Sequence, residues 1–227
     1  MITPPTITAL VPMRHQSERV PGKNYRLFNG QPLYHYILTT LSQCDPITTI
    51  LVDTDSPLLQ ADIAAAFPHV QVIDRPAHLR AGTIPMNDVL LHDTAQVASD
   101  FYLQTHATNP LLKVDTIKRA IAQFLEAYPI YDSLFGVTRW QTRLWDQLTL
   151  PVNHNPAILL RTQDLPPVME ENSNLYLFTR DILLRKHNRI GERPLMFEID
   201  RLEAWDIDEE IDFAVAEFLY RYRQTNT

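Results

Sequence analysis

Ile7-Thr8-Ala9-Leu10-Val11 runs directly into Pro12-Met13-Arg14-His15-Gln16-Ser17-Glu18-Arg19-Val20-Pro21-Gly22-Lys23-Asn24. A short β-rich run that stops at a proline and opens a polar loop is the pattern of a strand covered on both faces, as the first strand of a parallel sheet would be. Outward from it, Leu33, Tyr36, Ile37 and Leu41 recur at helical spacing between Pro32 and Leu41, and Ile47 to Val52 then reads as a second strand ending at Asp53-Thr54-Asp55. The alternation predicts a helix over Ser56 to Ala66, a strand at Val70 to Ile73, a helix near Met86 to Val97, a strand at Phe101 to Gln104 and a helix from Val114 to Tyr128. Strands separated by helices at this rhythm imply right-handed crossovers, hence an α/β fold with a doubly wound, mostly parallel, Rossmann-like sheet.

The rhythm breaks near Arg139. From there to Val168 the chain carries Trp140, Trp145, four prolines and polar turns, with β-like pieces at Leu148 to Val152 and Ala157 to Leu160, which predicts a small hairpin arm at about 139–170. Asn174 to Thr179 reads as a strand and Asp181 to Lys186 as a short helix. Ile211 to Arg221 reads as an amphipathic helix with Ile211, Val215, Phe218, Leu219 and Tyr222 on one side. The expectation is one domain over 1–227 with that arm as its excursion.

Composition narrows the chemistry. Twenty basic against 27 acidic residues leave a net charge of −7, without the positive field that nucleic-acid or anionic-membrane binding uses. Five glycines offer no G-x-G-x-x-G fingerprint and no P-loop, and no H-E-x-x-H run or G-x-S-x-G elbow occurs. The single cysteine, Cys44, forms no internal disulfide, and no run of about 18 apolar residues or cleavable leader is evident, so a cytoplasmic protein is expected.

Ligands of open α/β sheets bind beyond the carboxyl ends of the strands, which directs attention to the loop after Val11. Arg14, Arg19 and Lys23 fall within ten positions of an acidic chain, with Ser17 and Asn24 as further donors: a cradle for a polyphosphate, or a solvated basic loop. Near the other end, Asp206 and Asp208 flank Ile207. On extended backbone the two carboxylates share one side, suited to one Mg²⁺, although Asp208 also stands where it would cap the last helix. Arg75 either binds a substrate carboxylate or pairs with Asp74 or another surface acid.

The run 11–24 together with Gly30-Gln31-Pro32-Leu33 resembles the opening signature of the cytidylyltransferases that activate acidic sugars, the acylneuraminate (CMP-sialic acid) synthetase family and its 3-deoxy-manno-octulosonate relatives. Further segments resemble that family in order: Val52-Asp53-Thr54-Asp55-Ser56, Arg75-Pro76-Ala77-His78-Leu79, Thr108-Asn109-Pro110-Leu111, Glu171-Asn172-Ser173-Asn174-Leu175-Tyr176 and Asp206-Ile207-Asp208. The resemblance implies a nucleotide-diphospho-sugar transferase-like fold and transfer of CMP from CTP to an acidic sugar, with release of pyrophosphate. It implies Arg14, Lys23 and Asp208 as catalytic groups, with Arg14, Ser17, Arg19, Lys23, Asn24 and Arg75 on the nucleotide. Gln104, His106, Thr108 and Asn172 would lie on the sugar side, with Mg²⁺ on Asp206 and Asp208, and the arm would join a homodimer. Three departures stand out: Glu18 where the sialic-acid branch has lysine, His106 where a glutamine contacts the sugar acid, leaving His106 and Gln104 as rivals for that contact, and Gly82 where an aspartate is common. Rival readings are a nucleotidyltransferase for another NTP and a sugar or alcohol phosphate, and a non-catalytic nucleotide-sugar-binding paralogue.

Overall fold

The computed structural model describes residues 4–225. In chain order its elements are β1 (Ile7–Met13), a short ribbon of β2 (Leu27–Phe28) and β3 (Gln31–Pro32), α1 (Leu33–Ser42), β4 (Thr49–Thr54), α2 (Pro57–Ala66), β5 (Gln71–Asp74), α3 (Met86–Gln96) and β6 (Phe101–Thr105). They continue with α4 (Val114–Ala127), β7 (Ser133–Trp140), β8 (Val168–Phe178), α5 (Arg180–Lys186), β9 (Pro194–Glu198) and α6 (Glu210–Thr225). Local chemistry marks several helix boundaries. Ser56 caps α2 by accepting from the Leu59 N–H at 3.3 Å, with Pro57 in the first turn, and Thr179 caps α5 through Ile182 at 3.2 Å.

One seven-stranded sheet runs in the order β5-β4-β1-β6-β8-β7-β9. Six strands share a direction and β8 alone is reversed, antiparallel to both β6 and β7, while β9 returns parallel to β7. All seven residues of β1 are buried because both faces are covered. Ala9 and Val11 pack with Tyr34, Ile37 and Leu41 of α1 and Ile121 of α4, whereas Leu10 meets Leu90 of α3, Tyr102, Phe178 and Leu183 on the opposite face. The chain leaves β1 toward β4 and β5, then returns to lay β6 on β1's other edge. A crevice at the carboxyl ends of β1 and β6 follows from that reversal.

The doubly wound core matches the expectation; the later elements differ from it in three ways. β7 and β9 were not anticipated, and β8 begins at Val168 rather than Asn174, so the long hairpin is β7–β8 itself. The segment 141–167 at its tip carries one antiparallel bridge, Trp145 to Pro151, and neither Leu148–Val152 nor Ala157–Leu160 is a strand. The Asp146 side chain accepts from the N–H groups of Leu148 and Leu150, curling the first piece into a turn. Finally, α6 turns Phe213 and Ala216 inward against Val20, Phe28, Leu33 and Ile207, leaving the predicted face outward with Ile211 65% and Phe218 58% exposed. Both faces of this helix are apolar, and the Phe28 ring beneath it, edge-on to Phe213 and Tyr220, with Arg26 stacked 4.2 Å over Phe213, selects the face of Phe213 and Ala216.

Candidate active site

The loop after β1 is pinned from several sides. Asp55 Oδ1 accepts from the His15 N–H at 2.7 Å, His15 Nδ1 lies 2.7 Å from Ser56 Oγ, and Asn24 donates to the Arg14 carbonyl at 2.9 Å. Ser17 accepts from the N–H of the buried Val20, and Gly22 takes φ +65°, where a Cβ would strike the Tyr25 ring. Held this way, Arg14, Ser17, Arg19, Lys23 and Asn24 line one cavity of about 390 Å³, with Arg75, Gly82, His106 and Thr108 on its other walls. Gly82 approaches so closely that a Cβ there would lie inside contact distance of Glu18 Oε1 and Arg14 Nη1. The departure at Gly82 therefore makes room for the departure at Glu18.

The late aspartates meet these cations directly. Arg19 pairs with Asp208 at 2.7 Å, and the Lys23 ammonium donates to the Ile207 carbonyl between the two acids. Burial lowers the Lys23 pKa, an effect opposed by the carboxylates of Asp206 and Asp208. Ile207 is fully buried and its N–H donates to the Thr108 carbonyl at 3.0 Å, fixing the segment to the end of the β6 turn. Asp206 and Asp208 themselves line a second cavity of about 680 Å³, which adjoins the first through this segment and also holds Asn172, Trp140 and Arg201.

Asn172 reaches that second cavity because β8 bulges: the register to β7 shifts across Gly136, and Ser173 adopts φ +57°. Its amide is fixed between the Thr138 hydroxyl, 3.1 Å, and the Asn174 N–H, 3.2 Å. The capping role considered for Asp208 falls elsewhere. Asp212 Oδ2 accepts from the N–H groups of Asp208 and Glu209 at 3.1 and 2.8 Å, which leaves the Asp208 carboxylate to the cleft.

The donor set fits a hard divalent cation. Asp206 Oδ1 is buried without a hydrogen-bond partner, and burial, reinforced by the charge of Asp208, raises the Asp206 pKa against the Thr108 hydroxyl bond that lowers it. A divalent ion meeting both carboxylates would satisfy that oxygen and remove the repulsion.

Arg75 departs from the surface pairing expected for it. It is 2% exposed and donates through Nε to Asp53 Oδ1 at 3.0 Å and through Nη2 to the Asp53 carbonyl at 3.3 Å, so its acidic partner is the buried Asp53 rather than Asp74 or another surface acid. Beside them lies Asp93, which burial and the neighbouring Asp53 charge push up to about 9. A proton on Asp93 supplies the donor that Asp53 Oδ2 otherwise lacks, and the trio becomes neutral. His92 stands at 3.2 Å from Asp93, so the three side chains could offer ligands to a metal, but the Arg75 guanidinium already occupies Asp53.

This cluster carries a pH prediction. Native Asp93 holds a proton that the unfolded chain releases near pH 4, so its contribution to stability is complete below that value and is lost as pH rises toward about 9. Asp93→Asn keeps a donor for Asp53 and does not ionise. The variant's Tm should therefore gain on the parent's as pH is raised from about 5 to 8, and parallel curves would refute the buried proton.

Sequence reasoning did not find Asp93 or Arg189, the latter contacting Gln104 and Tyr176. Neither belongs to a motif; tertiary packing alone sets Asp93 beside Asp53 and Arg189 beside Gln104.

A family model described as cytidylyltransferase matches residues 8–225. N-acylneuraminate cytidylyltransferase A of Danio rerio is 26% identical over 224 residues, covering 93% of this chain and 50% of that protein. CMP-N,N'-diacetyllegionaminic acid synthase of Legionella pneumophila is 27% identical over 241 residues, covering 96% of this chain and 97% of that one. Among solved structures, a CMP:2-keto-3-deoxy-manno-octonic acid synthetase complexed with CTP superposes with a TM-score of 0.71 at 14% identity, over 96% of this chain and 99% of that one, which is a likeness of fold.

Proposed function

Because the chain belongs to the cytidylyltransferase family, we propose that it transfers CMP from CTP to an acidic sugar of the nonulosonate type and releases pyrophosphate. The observation that carries this reading is the direct contact of Lys23 and Arg19, on the wall of the cation-bearing cavity, with the Asp206–Asp208 segment that lines the adjoining one. A hydroxyl of the sugar attacks the α-phosphorus and gives up its proton to solvent, the new P–O bond forms as the α–β bridge breaks, and pyrophosphate departs in line. Arg14, Arg19 and Lys23 hold the β- and γ-phosphates and offset the charge that grows on them, with Ser17 and Asn24 toward base and ribose. Opening the Arg19–Asp208 pair frees both for substrate. Thr108 and Asn172, with His106, orient the sugar.

The divalent ion proposed is Mg²⁺ on Asp206 and Asp208, where it would neutralise phosphate oxygens and polarise the attacking hydroxyl. The active form proposed is a homodimer joined through the arm, whose Leu148, Leu150, Ile158 and Leu159 are 58–88% exposed. Light scattering should give twice the chain mass, and a monomer at assay concentration would remove this part. No helix among the described residues is long and apolar enough to cross a membrane, and a cytoplasmic setting, the one proposed, would keep the buried Cys44 thiol reduced.

The direct test is pyrophosphate release from CTP and Mg²⁺ against sialic, legionaminic, pseudaminic and octulosonic acids one at a time. Turnover with one or more and its abolition by EDTA are expected. Binding of CTP without release across the panel would favour a non-catalytic paralogue.

A further inference from the structure

Gln104 sits at the end of β6, fully buried, with both ends of its amide engaged. Arg189 Nη1 lies 2.5 Å from Gln104 Oε1, whereas Gln104 Nε2 is 3.2 Å from the Thr105 carbonyl and 2.8 Å from His106 Nε2. A guanidinium only donates and a carbonyl only accepts, so these two flanking groups permit one orientation of the amide: oxygen toward Arg189, NH2 toward Thr105 and His106. The NH2 can only donate. His106 Nε2 must therefore present its lone pair, and the proton of the neutral ring resides on Nδ1.

Arg189 is itself held firmly, its guanidinium stacked 3.6 Å over the Tyr176 ring and its backbone N–H bonded to Asn87. The ring remains neutral because burial, with the cations Arg189 and Lys23, pushes His106 down to about 3. His106 lines the cation-bearing cavity, and its Nδ1 is neither hydrogen-bonded to protein nor among the sealed, unpartnered atoms of the described residues. An open N–H in a cleft built for anionic oxygens is a donor in want of an acceptor, whereas the other tautomer would aim a lone pair at those oxygens.

We propose that Arg189 and Gln104 form a positioning relay that fixes His106 as the Nδ1–H tautomer, and that this N–H donates to an oxygen of the bound substrate. Gln104 and Arg189 thus act through His106 and are positioning residues; His106 alone meets the ligand. The donation rests on the cytidylyl-transfer reading, but the tautomer does not.

Long-range proton–nitrogen correlation spectra of ring-labelled protein read the tautomer directly: Nδ1–H is expected in the parent chain, and a proton on Nε2 would overturn the relay. In Gln104→Glu the carboxylate can only accept, so Nε2 should acquire a proton; an unchanged ring would again overturn it. For the donation, Gln104→Met releases Nε2 and should raise KM for one substrate roughly tenfold with little change in kcat. Separate KM values for CTP and for the acid identify whether a phosphate, ribose or sugar oxygen takes the bond. Gln104→Met should add nothing further in a His106→Ala background, because the relay acts only through that ring; an equal, additive loss there, or unchanged KM in the single variant, would remove the donation. Failure of the parent enzyme to release pyrophosphate with any acid would remove the functional reading instead, and the ring spectrum would still decide the relay.

Discussion

Asp208→Asn is expected to lower Mg²⁺-dependent pyrophosphate release by roughly 10²–10³-fold while leaving the melting temperature nearly unchanged. The two halves of this result have separate causes. Asp208 is 47% exposed and its partner Arg19 63% exposed, so their ion pair is solvent-screened and contributes about 0–1 kcal/mol to folding. The helix start beside it is secured by Asp212 rather than by Asp208. What the substitution removes is one of the three carboxylates, Asp206, Asp208 and Asp212, whose charge acts on the Lys23 ammonium, and with it the second hard ligand for the cation. Asp206→Asn offers the contrast. Its buried carboxylate lacks a partner for Oδ1 and carries a pKa raised by burial, so neutralising it should abolish turnover comparably yet stabilise the fold. If Asp208→Asn turned over at the parental rate, or if its loss were matched by unfolding, the metal assignment would be removed.

The contrast between these neighbouring acids was invisible in the spacing Asp-x-Asp, which placed both on one side and no more. Sequence reading reached the elements governed by local pattern: β1, the helices to α4, and the loop whose cations cluster after a strand end. It reached the pairing of that loop with Asp206 and Asp208 only through resemblance, because 184 residues separate Lys23 from Ile207 and no periodicity encodes that closure. β9 escaped because Pro-Leu-Met-Phe-Glu is short, opens on proline and becomes a strand only through its parallel partner β7. The face of α6 was misjudged for a related reason: with apolar residues on two sides, the choice belongs to Phe28, Val20 and Ile207, which arrive from elsewhere in the chain. His106 and Gln104 were both legible as site residues, but their division of labour depends on Arg189, which enters from 85 positions away.

Arg75→Met should destabilise the protein by about 3–5 kcal/mol, as removal of one partner from a buried ion pair does, lowering Tm by roughly 6–20 °C. The guanidinium and the Asp53 carboxylate are 3% and 0% exposed, so water does not replace the lost partner. Asp93 aggravates the loss: without Arg75, two acids share one buried pocket with a single proton between them, and unfolding is the cheapest route to solvate the remaining charge. The companion variant Arg75→Met/Asp53→Asn removes that charge and should recover most of the stability, a coupling read by the double-mutant cycle. The same cycle separates the two roles open to Arg75, which also lines the cation-bearing cavity. A residue that serves the nucleotide would leave Tm intact and raise KM for CTP, with no rescue from Asp53→Asn. One that braces the floor of the cleft loses stability first, and its catalytic defect is repaired together with the fold. The geometry favours the second, because the Nε and Nη2 donors are already committed to Asp53 and the Arg75 backbone is tied at both ends, by Thr54 and by Arg80.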